Sequence, residues 1–183
     1  KKLNKKNYEL INFTQPGKIY RIEPKEDKRA SFLKNINNSI FILGGYYHRE
    51  TENELNFLYN FYKEDFEIFF KNNNKIIFLT PIPEINILPI DFFKVIDGRK
   101  IEISEKKTKI IERSKLAINF INRFKNIHVI DLNEVFCDEF KCYAVTPDKL
   151  ILKSDYDHPS LEGSKMINDL IIKEIEKIEL TSN

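Results

Sequence analysis

Ser39-Ile40-Phe41-Ile42-Leu43-Gly44-Gly45 is a short, wholly apolar run closed by two glycines, the pattern of a strand buried on both faces. Lys75 to Thr80 (Lys-Ile-Ile-Phe-Leu-Thr) repeats the pattern and stops at Pro81, and Asn126 to Asp131 (Asn-Ile-His-Val-Ile-Asp) is a third run of the same kind. Between the first two, Glu52 to Lys71 carries Leu55, Leu58, Tyr59, Tyr62, Phe66 and Phe69 at spacings of three and four, which predicts an amphipathic helix. Between the second and third, Lys106 to Phe124 places Ile110, Ile111, Leu116, Phe120 and Phe124 on a similar stripe. A last helix is predicted from Leu161 to Leu180, with Ile167, Leu170, Ile171, Ile175 and Ile178 on one face and the Ser160 hydroxyl placed to cap its start. Near the front, Tyr8 to Phe13 alternates like a strand. Strands that alternate with helices require right-handed crossovers and a parallel sheet, so the expected fold is a three-layer α/β sandwich with a central parallel sheet.

The chain has 183 residues, enough for one compact domain with a substantial core, and 42% of them are hydrophobic. Its 30 Lys and Arg against 28 Asp and Glu leave a net charge of +2 without a basic block, which argues against binding nucleic acid by phosphate neutralisation. No apolar run approaches the roughly 20 residues a bilayer span needs. The chain begins Lys1-Lys2-Leu3, with neither a methionine nor a signal-like apolar core, and is read as a single domain over residues 1–183 cut from a longer polypeptide.

In open α/β sheets ligands collect beyond the carboxyl ends of the strands, which directs attention to Gly44 to His48, Thr80 to Glu84, Asp131 to Asn133 and the loop before the last helix. That loop reads Ser154-Asp155-Tyr156-Asp157-His158-Pro159-Ser160-Leu161-Glu162-Gly163. A spacing of three on a tight turn brings Asp155 near His158, where its carboxylate can hold one imidazole nitrogen and leave the other basic, as a nucleophilic hydrolase requires. Asp157 is the rival partner, but adjacent residues in a turn usually point apart. His128 lies within an apolar strand and is read as a hydrogen-bonded structural residue. His48 is read evenly as a substrate contact or a solvated loop residue. Cys137 and Cys142 have no second cysteine pair beside them, which disfavours zinc, and Gly44-Gly45 lacks the further glycines of a dinucleotide loop. No metal and no organic cofactor is expected.

Asp155, His158, Pro159, Ser160 and Gly163 resemble the C-terminal catalytic block of the SGNH (GDSL-type) hydrolases, whose fold is flavodoxin-like. The likeness is greatest to the SGNH domain attached to integral-membrane O-acyltransferases of envelope glycans. Ser39 to Tyr47, Ile76 to Glu84 (ending Pro-Ile-Pro-Glu), Val129 to Cys137 and Cys142 fit the same subgroup in order, so the resemblance covers roughly residues 35 to 180. It implies a Ser-His-Asp triad in which His158 is the base and Asp155 orients it. The family serine stands in a Gly-Asp-Ser motif after the first strand, and that tripeptide does not occur here; Ser31, Ser39, Ser104, Ser114, Ser154, Ser160, Ser164 and Ser182 all stand in other settings. The expectation is that this strand and its serine lie upstream.

The resemblance further implies an acyl donor, most often of acetyl, a glycan acceptor, a membrane acyltransferase domain as fused or coupled partner, and a place on the periplasmic or extracellular face of the cytoplasmic membrane. It also implies a disulfide between Cys137 and Cys142. Gly44 and Gly45 are the expected backbone donors, and Tyr46, Tyr47, His48 and Glu84 the expected borders of the acceptor cleft. A carbohydrate esterase with the same triad and a non-catalytic glycan-binding domain are the alternative readings.

Overall fold

The computed structural model describes Glu9, Ile11, residues 28–45, Tyr47 and residues 50–181. Apart from Glu9 and Ile11, the Tyr8 to Phe13 stretch lies outside the described residues. Among those described, the elements in order are α1 (Lys28–Asn35), β1 (Ile40–Leu43), α2 (Glu52–Lys71), β2 (Lys75–Leu79), α3 (Pro89–Ile96) and β3 (Ile103–Lys106). They continue with α4 (Lys107–Ile121), β4 (His128–Ile130), α5 (Asn133–Phe136), β5 (Lys141–Val145) and α6 (Leu161–Thr181).

Strands β1, β2 and β4 form a parallel sheet in that order, with Ile40 opposite Lys75 and Ile77 opposite His128. The alternation of β2 divides the core. Ile76 and Phe78 join Leu43, Tyr47 and the inner faces of α2 and α4, whereas Ile77 joins Ile130, Val135, Phe136 and the Ile167, Ile175, Ile178 face of α6. Helices therefore cover both faces of the sheet, the expected three layers. β1 departs from its reading as a strand buried on both faces: it is an edge strand among the described residues, and Ile42 is 37% exposed.

Helix α2 starts where Thr51 and Glu54 close a capping box, the Glu54 carboxylate accepting from the Thr51 backbone N–H at 2.8 Å. Its buried residues Leu55, Leu58, Tyr62, Phe66 and Phe69 lie on the expected stripe. α4 is rotated from the expected stripe: Ile110, Ala117, Phe120 and Ile121 face inward, while Ile111 and Leu116 are exposed. The buried positions follow the i, i+3, i+4 rule better than the expected set did.

A second, antiparallel sheet of β3 and β5 stands beside the first over Ile85, Val95, Ile103, Ile110, Cys142, Ala144 and Val145. Its turn is tied by the Cys137–Cys142 disulfide and by Asp138, whose carboxylate accepts the Phe140 and Lys141 backbone N–H groups at 2.7 Å each. The Tyr143 hydroxyl donates to the same carboxylate at 2.6 Å. These bonds lower the Asp138 pKa to about 2, the tyrosine bond first.

Gly163 sits in the first turn of α6, and a Cβ there would stand 2.2 Å from the Leu152 carbonyl oxygen. The carbonyl it would strike is backbone and cannot rotate aside, so Gly163→Ala is expected to lose about 1–3 kcal/mol in urea unfolding; unchanged stability would contradict this packing. The cysteines are expected to resist alkylation until a reductant is added. Replacing both with serine should cost about 2 kcal/mol, as closure of a short loop predicts.

Candidate active site

The loop from Ser154 to Ser160 is built on one side chain. Asp155 Oδ1 accepts the backbone N–H groups of Asp157 at 3.0 Å and His158 at 2.7 Å, the local aspartate turn that this residue type favours. The loop closes with the Ser154 N–H on the His158 carbonyl at 3.1 Å. Ser160 then begins α6: its hydroxyl accepts the Gly163 N–H at 3.1 Å and donates to the Ile151 carbonyl at 2.6 Å, the cap expected of it. The other side of the loop is strapped to the segment after β2, where the Ile85 N–H donates to the Tyr156 carbonyl at 3.1 Å.

This frame places His158 Nδ1 2.9 Å from Asp155 Oδ2 and 3.0 Å from Oδ1. A carboxylate only accepts, so Nδ1 carries the proton, and in the neutral ring Nε2 is left with its lone pair. The His158 side chain is 62% exposed and that of Asp155 is 49% exposed, so the pair stands at the surface, open to a reactant. Partial burial pushes the Asp155 carboxyl up, but the His158 and Asp157 backbone N–H groups, the Asp157 side chain and the His158 ring outweigh it and bring the pKa to about 2. Asp155 is therefore ionised throughout the physiological range.

Asp157 does not point away. Its carboxylate is only 4% exposed, and Oδ1 lies 2.8 Å from the same Nδ1. Asp155, Asp157 and His158 thus share one small cluster, the one group of potential metal ligands among the described residues. Beneath them lies Lys153, fully buried, its ammonium donating to the Pro83 carbonyl. In the sequence Asp157 stands only as the rival of Asp155, and nothing there singles out Lys153.

Of the expected cleft residues, Gly44 and Gly45 follow β1 at its carboxyl end, as expected, and Gly45 packs so closely on the Tyr47 ring that a Cβ there would lie 3.3 Å from it. Tyr46 and His48 lie outside the described residues. Tyr47 needs correction as a sugar-stacking residue: it has no exposed surface, it packs 5.4 Å from both Phe78 and Phe120 by ring centroids, and its hydroxyl bonds that of Tyr62 at 3.1 Å. An aromatic ring just beyond β1 gains more from the core between α2 and α4 than from solvent. Glu84 is half-buried beside the loop, with its backbone carbonyl accepting from Arg113 at 2.9 Å. His128 has the structural part read for it, with Nδ1 2.9 Å from Glu174 Oε1. At the carboxyl ends of β2 and β4 the Thr80 hydroxyl accepts the Leu132 N–H at 2.8 Å and donates to Asp131, which also receives the Asn133 amide.

A search among curated protein sequences finds no significant match. Among solved structures, the periplasmic domain of a lipopolysaccharide acetyltransferase from Salmonella ser. Paratyphi A is similar in fold, with a TM-score of 0.57 at 17% identity. The similarity covers 79% of this chain and 59% of that one, so this chain spans well under two thirds of that domain. The family model for the SGNH domain fused to AT3 domains matches residues 19–173, which include the α/β layers and the whole Asp155 to Gly163 block. By that match over most of its length, the chain belongs to the family of SGNH domains that are fused to AT3 domains.

Proposed function

We propose that this domain carries the base and its orienting carboxylate of an O-acyltransferase that modifies an envelope glycan. The observation that supports it is the Asp155–His158 pair, with Nδ1 held by a carboxylate at 2.9 Å on an exposed imidazole. The nucleophile is a serine on an upstream strand ending in Gly-Asp-Ser, a reading supported by the engagement elsewhere of five serine hydroxyls of the described structure. Ser160 caps α6, Ser154 faces the His158 carbonyl, Ser39 donates to Asn37, Ser104 to Glu102 and Ser114 to Ile110.

His158 Nε2 takes the serine proton as the serine oxygen attacks the acyl carbonyl, and returns a proton to the departing donor. A sugar hydroxyl then gives its proton to Nε2, attacks the acyl-serine and releases the serine. Asp155 stays ionised, holds the reactive tautomer and stabilises the imidazolium. Gly44 and Gly45 supply backbone N–H groups for the oxyanion, and Glu84 borders the acceptor. The family's fusion to AT3 domains supports a membrane acyltransferase as the source of the acyl group and a periplasmic position for this domain. The disulfide agrees with an oxidising compartment.

The test uses the full polypeptide with its membrane domain, reading O-acetylation of isolated glycan by mass spectrometry. His158→Ala is expected to lower transfer by about 10²–10⁴-fold with little change in unfolding temperature. Full transfer by His158→Ala would overturn the reading. Release of acetate in water with no labelled glycan would select the esterase, and an upstream sequence without the serine would select the glycan-binding domain.

The Asp155 carboxyl, followed by carbon NMR, is expected to titrate near pH 2. Because its folded pKa lies below the unfolded value, the stability it contributes is present above about pH 4 and is lost as the pH falls through the folded pKa. A midpoint at the ordinary aspartate value would contradict the hydrogen bonds described for the Asp155 carboxylate.

A further inference from the structure

Helix α3 turns apolar side chains to both sides. On the inner side Phe92 and Val95 pack into the core formed with Ile103, Ile110 and Val145, and Asp91 is also buried. The outward side carries Ile90, Phe93 and Ile96, three residues apart and so on one face, where a surface helix ordinarily places charge. Leu88 precedes the helix, and the Lys100 N–H donates to the Lys94 carbonyl at 2.7 Å, which folds Ile101 back beside the last turn. These five residues are between 47% and 73% exposed. Single apolar residues on a surface need no cause, but five on one short segment do.

The charges around this face are layered. The Asp91 carboxylate accepts the Leu88 N–H at 3.1 Å and pairs with Lys94 at 3.6 Å and Lys100 at 2.5 Å. The Lys94 and Lys100 side chains are 36% and 42% exposed against 10% for Asp91, so the cations stand outward and the anion beneath them. Arg99 stands over Asp97 in the same way, and Lys141 over Glu102, which shares a hollow with Lys100 and Ile101. An apolar helix face rimmed by Lys and Arg matches the surface of a bilayer that carries anionic lipid, where apolar side chains enter the acyl boundary and cations meet phosphate. A second copy of this chain would bring the same cations to the rim, whereas lipid phosphate complements them.

We propose that α3, with Leu88 and Ile101 at its ends, is a membrane-contact face that rests on a bilayer containing anionic phospholipid. The chain belongs to a family fused to AT3 domains, the membrane acyltransferases, so a bilayer is the apolar surface within its reach. Ile85, whose N–H holds the Tyr156 carbonyl of the His158 loop, stands four residues before Pro89 at the start of α3. Such a stretch spans at most about 14 Å. Contact through α3 therefore keeps the His158 loop close to the lipid surface. It goes beyond acyl transfer and does not depend on it.

The sequence contains no tryptophan, so Phe93→Trp places a single fluorescent reporter on this face. The 183-residue chain carrying it is mixed with vesicles of phosphatidylethanolamine and phosphatidylglycerol. Its emission is expected to move to the blue and to be quenched by lipids brominated in the acyl chain. Phe57→Trp, at an exposed position on α2, is the comparison and is expected to show neither effect. In sedimentation with the same vesicles, the joint change Phe93→Ser and Ile96→Ser is expected to lower binding by about tenfold or more, because burial of two large apolar side chains is lost. Vesicles of phosphatidylcholine alone should bind the unaltered chain less, and added salt should narrow the difference. No shift from Phe93→Trp, the same shift from Phe57→Trp, or binding indifferent to phosphatidylglycerol overturns the proposal. Blue emission that is present without vesicles and grows with protein concentration assigns the face to a second copy, and overturns it too. Should Phe93→Trp fail to fold, Ile96→Trp, at a residue 71% exposed, takes its place. None of these outcomes bears on the activity of His158→Ala, so the acyl-transfer reading stands or falls separately.

Discussion

One carboxylate holds the functional end of this domain together. Asp155 accepts two backbone N–H groups of its own loop and the ring nitrogen of His158, so the turn that presents the histidine and the bond that sets its tautomer are made by the same group. Everything around it is arranged to keep that turn in place. Ser160 fixes the point where α6 departs, Gly163 lets that helix lie against the Leu152 carbonyl, and Ile85 ties the loop to the strand end of β2. The parallel sheet delivers β2 to that position, and α6 closes the layer behind it.

The layers were legible because they are periodic. β2 is a continuous apolar run buried on both faces and α2 carries a long aromatic stripe, so both can be read from pattern alone. β3 was not legible: Ile-Ser-Glu-Lys has one apolar side chain, and it is a strand only because β5 lies opposite. α3 also escaped, since Pro89 to Ile96 is apolar on both faces, with Val95 buried and Phe93 exposed, and shows no stripe of one period.

The site divides in the same way. Asp155 and His158 are three residues apart and the contact between them is local, which the sequence can show. Lys153 meets a carbonyl 70 residues away, and a lysine beside a loop motif reads as a solvated charge until the fold encloses it. Tyr47 failed in the opposite sense: its position after a strand suggested an edge, but α2 and α4 close over it and its hydroxyl finds Tyr62. Local chemistry was readable, whereas the buried charges and rings that support it depend on contacts between distant segments.

The account turns on which nitrogen of His158 bears the proton. Nitrogen NMR of the neutral ring, recorded above its titration midpoint, answers this directly. The account predicts the Nδ1–H form, with Nε2 unprotonated, and its loss in Asp155→Asn. A neutral ring found as Nε2–H in the unaltered protein would contradict it, because the nitrogen facing the reactant would then have no lone pair to accept a proton.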